Sequence, residues 1–143
     1  MPVAFCLGFA VLGLCQWIKR KNILKVDYSI LILGGFYIIV MAAYILFEYV
    51  VINYRPILIN GYLEASYPSS TTLLVLCVMP TAIMQFNERI KNNFLRKSIS
   101  LAIIFFIIFM VALRLLSGVH WLSDIIGGAL ISMSLVTLYR SLI

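Results

Sequence analysis

The sequence predicts an all-α protein, a polytopic membrane helix bundle with about five transmembrane helices. Three observations carry this. Hydrophobic residues make up 64% of the 143 residues and charged residues only 11%, with a mean hydropathy of +1.09; a soluble domain is about half apolar and about a quarter charged. Five stretches, 1–18, 28–47, 65–87, 98–113 and 125–139, carry no charged side chain, and at about 20 residues per span the length holds about five or six spans. Strict alternation of apolar and polar residues is absent, which argues against a β-barrel. Backbone in lipid must satisfy its own hydrogen bonds, so the runs are read as helices. A soluble globular domain and a disordered chain are excluded.

The elements follow in order, with spans expected near 2–18, 28–52, 70–87, 98–115 and 122–140. The first run could be mistaken for a signal peptide, but its basic residues follow the apolar stretch instead of preceding it. Residues 1–27 are therefore read as an anchor helix and a loop, and 28–143 as the core of a single domain. The loop at 19–27 holds Lys19, Arg20, Lys21 and Lys25. The loop at 88–97 holds Arg89, Lys91, Arg96 and Lys97, and Arg140 sits near the C-terminus. Nine of the 11 basic residues thus fall on one side, which the positive-inside rule makes cytoplasmic. The N-terminus and the loops at 52–70 and 115–124 then face outward. Trp17 and Trp121 fall at opposite interfaces, where an aromatic belt places them.

The net charge of +6 is accounted for by these topogenic clusters, so nucleic acid is not an expected partner. Cys6, Cys15 and Cys77 stand singly in apolar runs, with neither a CxxC pair nor metal-ligand spacing. They read as small buried hydrophobes, and no metal or cofactor is expected.

Arg55 and Arg114 are the two basic residues that topology leaves unexplained. With Glu48, His120 and Asp124 they fall at or near outward helix ends, and Glu64 and the run Tyr67–Thr72 join them. A charge at the centre of a span costs at least about 2.5–3.5 kcal/mol and usually faces a polar partner or cavity. His120 and Asp124 are four apart and share a face if the last helix starts near His120. A carboxylate so placed holds an imidazole in one tautomer and stabilises its cation. Glu48 and Arg55 are seven apart, again one face of a continuing helix, where Glu48 is expected to pair with Arg55 or Arg114. The arginines present fixed forks suited to phosphate oxygens. Pro68-Ser69-Ser70 before an apolar run reads as a helix N-terminus, whose free N–H groups and dipole favour an anion. Arg55, Arg114, His120 and the Ser69–Ser70 turn are expected around one outward-facing pocket.

These residues resemble the type 2 phosphatidic acid phosphatase superfamily of integral membrane lipid phosphatases, related in fold to vanadium haloperoxidases. The family carries Lys-x6-Arg-Pro, then Pro-Ser-Gly-His, then Ser-Arg-x5-His-x3-Asp. This chain carries Glu48-x6-Arg55-Pro56, then Pro68-Ser69-Ser70-Thr71, then Leu113-Arg114-x5-His120-x3-Asp124. The resemblance covers about residues 28–143. It implies that His120 is the nucleophile that becomes phosphorylated and that Asp124 orients it. Arg55, Arg114, Ser69 and N–H groups near Ser70 would hold the phosphate oxygens, with no metal required. The chain departs from the pattern at Glu48, where the family has lysine, and at Thr71, where it has the histidine that protonates the leaving group. It also has five helices where the family usually has six, as an N-terminally short member would. The expected partner is a membrane lipid phosphate, and more narrowly a polyprenyl or other lipid diphosphate. The alternative is a relative that binds lipid phosphate or a partner protein without turnover. The expected location is the plasma membrane of a bacterium, with the site outward and the C-terminus cytoplasmic. The oligomeric state is left open.

Overall fold

The computed structural model describes residues 2–21, 27–58 and 61–143, with the backbone alone at Arg20. Lys25 of the first basic cluster lies outside the described residues. Among the described residues five helices follow one another: α1 Pro2–Arg20, α2 Tyr28–Tyr49, α3 Ser70–Arg89, α4 Asn93–Leu116 and α5 Leu122–Leu142. All five are long and apolar enough to cross a membrane.

Two boundaries differ from the sequence reading. Helix α2 ends at Tyr49, before the expected 52: Val50 N–H still reaches Leu46 O, but its ψ of 83° turns the chain out of the helix. Residues 53–55 are then extended and pair with 64–66, through Ser66 N–H to Asn53 O at 2.9 Å and Arg55 N–H to Glu64 O at 3.1 Å. Pro56 reinforces this, since the residue before a proline is disfavoured in helix. Arg55 therefore does not continue the face of α2 that carries Glu48. Helix α4 starts at Asn93, five residues before the charge-free run. The Asn92 side chain accepts from Phe94 N–H at 2.9 Å and Leu95 N–H at 3.2 Å, a cap that closes the helix start.

Helix α3 is central and packs against the other four. Lipid removes the hydrophobic drive between helices, so close packing of small residues and shared hydrogen bonds hold such bundles. The α3–α5 seam shows both. Gly128 is buried in it against Thr72 and Leu73, and Ser132 Oγ donates to Gly128 O at 2.7 Å and to Leu73 O at 3.2 Å. Leu33, Phe36 and Val40 of α2 fill the core with Leu73, Cys77 and Ala82 of α3 and Tyr139 of α5. The outer faces of α1 and α4 remain apolar and exposed, Leu7, Leu101 and Phe105 among them, as lipid-facing surfaces should be.

At one end of the bundle a polar network joins four helices. Gln85 donates to Tyr139 Oη at 2.7 Å, Arg89 bonds Gln85 and Ser29 Oγ, and Gln16 donates to Asp27 at 2.7 Å. At the opposite end the C-termini of α2 and α4, the N-termini of α3 and α5 and the described residues of the 50–69 loop converge. The candidate site lies there.

Candidate active site

His120 sits in the turn between α4 and α5. Gly118 allows the turn with φ +65°, a conformation that side chains resist. Helix α5 begins one residue beyond Trp121, and Asp124, in its first turn, reaches back to accept from Trp121 N–H at 2.9 Å. The Trp121 indole donates to Tyr54 O at 2.9 Å, which fastens the 50–69 loop over this helix start.

The His120 side chain is 1% exposed and that of Asp124 is fully buried. Their spacing brings them together, but not into direct hydrogen bonding: Asp124 Oδ2 lies 3.7 Å from Nδ1. Ser66 stands between them. Its Oγ donates to Asp124 Oδ2 and lies 3.2 Å from His120 Nδ1, and its carbonyl oxygen also lies 3.2 Å from Nδ1. Sequence reasoning missed Ser66, which is 54 residues from His120 and reaches it only through the non-local pairing of the loop.

The other ring nitrogen, Nε2, is buried without a hydrogen-bond partner among the described residues, and so is Arg55 Nε. Both side chains line one pocket with Ser70 and Glu48, walled by Tyr44, Phe47 and Tyr67. The pocket contains about 340 Å³ of empty space. Most of that space is open to solvent; the enclosed part is about 20 Å³, room for about one water and far below the roughly 300–1,000 Å³ typical of ligand sites, so a phosphoryl group binds at the open mouth of the pocket.

Arg55 is paired with Glu64, Nε to Oε2 at 3.3 Å, in contact but without hydrogen-bond alignment. This corrects the expected Glu48 partnership: Glu48 is exposed and makes no ion pair among the described residues. The early end of α2 is the cause, because it swings Arg55 toward residue 64 of the paired segment. Arg114, in the last turn of α4, donates to Thr71 Oγ1. Neither Arg114 nor Thr71 lines the pocket directly. Ser69 is fully buried: its N–H goes to Asp124 O at 3.0 Å and its Oγ accepts from Thr72 at 3.1 Å. The N–H groups left for an anion are those of the first turn of α3, starting at Ser70, which lack intrahelical acceptors.

The electrostatics favour a neutral imidazole. Burial pushes the His120 pKa below the ordinary histidine range, and the positive charges of Arg55 and then Arg114 push the same way. Asp124 and the Ser66 carbonyl oppose them without reversing the sign. Near neutral pH the ring is thus neutral, beside two permanent cations that favour an anion in the pocket.

A family model described as the PAP2 superfamily matches residues 3–143, nearly the whole chain. No curated protein and no solved structure matches it.

Proposed function

The chain belongs to the PAP2 superfamily, and from that premise we propose that it is a membrane phosphohydrolase acting on a lipid diphosphate through a phospho-histidine intermediate. The observation that carries the proposal is the buried Nε2 of His120, without a partner among the described residues, on a side chain that lines one pocket with Arg55. Arg55, the first-turn amides of α3 and the field of Arg114 hold the phosphoryl oxygens. The Nε2 lone pair attacks phosphorus, and the bond to the leaving oxygen breaks with its electron pair going to that oxygen. Water then attacks the phosphorus of the phospho-histidine. The N–P bond breaks, the imidazole recovers its lone pair, and inorganic phosphate leaves.

The leaving group narrows the substrate. A lipid monophosphate must expel an alkoxide, a base about as strong as hydroxide, and this needs a general acid. Thr71 stands where the family has its second histidine, and its oxygen is engaged by Arg114. A hydroxyl is also far too weak an acid for the task. A diphosphate expels a phosphate monoester, whose second pKa is about 6, so the step proceeds without that acid. The basic clusters support an outward-facing site and a cytoplasmic C-terminus. The replacement of the second histidine also supports a second reading, a relative that binds lipid phosphate without turnover.

Phosphate release from the purified, reconstituted protein tests both readings. The expected result is hydrolysis of a polyprenyl diphosphate with little attack on phosphatidic acid, abolished by His120→Ala. Equal turnover of the two lipids refutes the leaving-group argument. Turnover of neither by a folded preparation selects the binding protein.

A further inference from the structure

We propose that Ser66 is the positioning residue of His120, holding the ring in the tautomer that leaves Nε2 unprotonated and coupling that ring to Asp124. The consequence for catalysis rests on the phospho-histidine reading above. The consequence for ring protonation rests on geometry alone.

Asp124 cannot do this by itself. Its Oδ2 is 3.7 Å from Nδ1, beyond hydrogen-bond reach, and it already accepts from Trp121 N–H and from Ser66 Oγ–H. With the Ser66 hydroxyl proton committed to the carboxylate, its oxygen turns a lone pair toward Nδ1. The Ser66 carbonyl, which can only accept, faces the same nitrogen at the same 3.2 Å. Two acceptors therefore face Nδ1, and a neutral imidazole carries one N–H. The proton resides on Nδ1, and Nε2, with no partner among the described residues, keeps its lone pair toward the pocket. When Nε2 bonds phosphorus the ring becomes cationic. Ser66 then passes the stabilising effect of the Asp124 carboxylate to Nδ1–H through one intervening hydroxyl, with no proton required to move.

The backbone of Ser66 is also placed to do this. Its N–H is held by Asn53 O at 2.9 Å, in the same pairing that carries Arg55. Ser66 is 1% exposed, which keeps bulk solvent from its side of the ring.

The chain contains one histidine, so labelling with ring-¹⁵N histidine gives a single pair of nitrogen signals. In the wild type the expected spectrum at neutral pH has a protonated Nδ1 and a bare Nε2. Ser66→Ala removes the hydroxyl acceptor but keeps the backbone carbonyl, so the Nε2–H form should appear as a minor population beside the Nδ1–H form, and Ser66→Thr, which restores a hydroxyl, should suppress it. In turnover, Ser66→Ala should lower kcat about 10- to 100-fold with little change in KM, the scale of one hydrogen bond to a charged group. It should cost almost nothing further in an Asp124→Asn background, because the two residues act on the ring as one unit. Ser66→Cys, with the same nitrogen readout, replaces the alanine variant if that one does not fold. A wild-type ring protonated on Nε2, a tautomer unchanged by Ser66→Ala, or multiplicative losses in the double variant each overturn the inference. A tautomer shift in a protein that hydrolyses no lipid refutes the phosphatase reading and leaves the positioning role of Ser66 standing.

Discussion

Gly127→Ala tests whether the pocket wall is packed as described. An alanine Cβ at this position falls inside the space of the Tyr67 ring, against Cε2, Cζ and Oη. Tyr67 meets Phe47 edge-on, with centroids 6.0 Å apart and planes at 79°, and both rings line the pocket. The ring must therefore move, and it moves next to Ser66 and the buried Pro68. Overpacking of this kind costs about 1–3 kcal/mol, and three atoms in contact place the cost near the upper end. Replacing a helical glycine recovers about 0.5–1 kcal/mol, so the net loss is about 2 kcal/mol. Gly34→Ala is the control, since a Cβ there meets nothing within 4 Å; it should leave stability equal or slightly higher. Thermal unfolding of the solubilised variants, with phosphate release measured alongside, gives both readouts. In a Tyr67→Ala background the cost of Gly127→Ala should vanish. If Gly127→Ala keeps wild-type stability and turnover, or if its cost persists without the tyrosine, the packing argument is wrong.

Two further outcomes follow from the site. Arg55→Gln removes a cation that lowers the His120 pKa and should move the titration of the single histidine upward, whereas Asp124→Asn removes an opposing anion and should move it further down. Ring-nitrogen NMR reads both, and shifts of the same sign would refute the assignment. In the wild type the folded pKa lies below the unfolded value of about 6.5, so the unfolded chain binds the proton first. The contribution of His120 to stability is thus complete above that pH and declines as pH falls toward the folded pKa; the acid limb of activity should lie in the same region below about 6.5. Thr71→His returns an imidazole to the first turn of α3 and releases the Thr71 oxygen from Arg114. It should raise hydrolysis of phosphatidic acid by about 10²-fold or more, the usual worth of a general acid, while changing diphosphate hydrolysis much less. An equal gain on both lipids would show that the leaving-group proton is not what the wild type lacks.

The spans were legible because their signal is local. A run such as 98–113 has no charge to place in lipid, and its helix is the only way to satisfy its backbone. The ends were less legible because partners distant in sequence set them. Nothing near Tyr49 announces that residues 53–55 will pair with 64–66, and that pairing is what separates Arg55 from Glu48 and gives it Glu64. The four-residue spacing of His120 and Asp124 did predict their proximity. It did not predict the 3.7 Å gap between them, because helix α5 begins only after Trp121 and the first-turn carboxylate is drawn back to cap it. The Pro-Ser-Ser turn was legible as a helix start. The commitment of the Ser69 amide to a carbonyl of α5 was not, since it depends on how two helices meet.

That last bond bears on the order in which the protein is made. Ser69 N–H is capped by Asp124 O, so the start of the third helix is completed by a residue synthesised some fifty positions later. A nascent chain whose first four helices have entered the bilayer holds Arg55, Ser66 and Ser70 but neither the imidazole nor the carbonyl that closes the turn. On the phosphatase reading, each newly made molecule is therefore silent until its final helix is in place, and phosphate release reports a completed bundle.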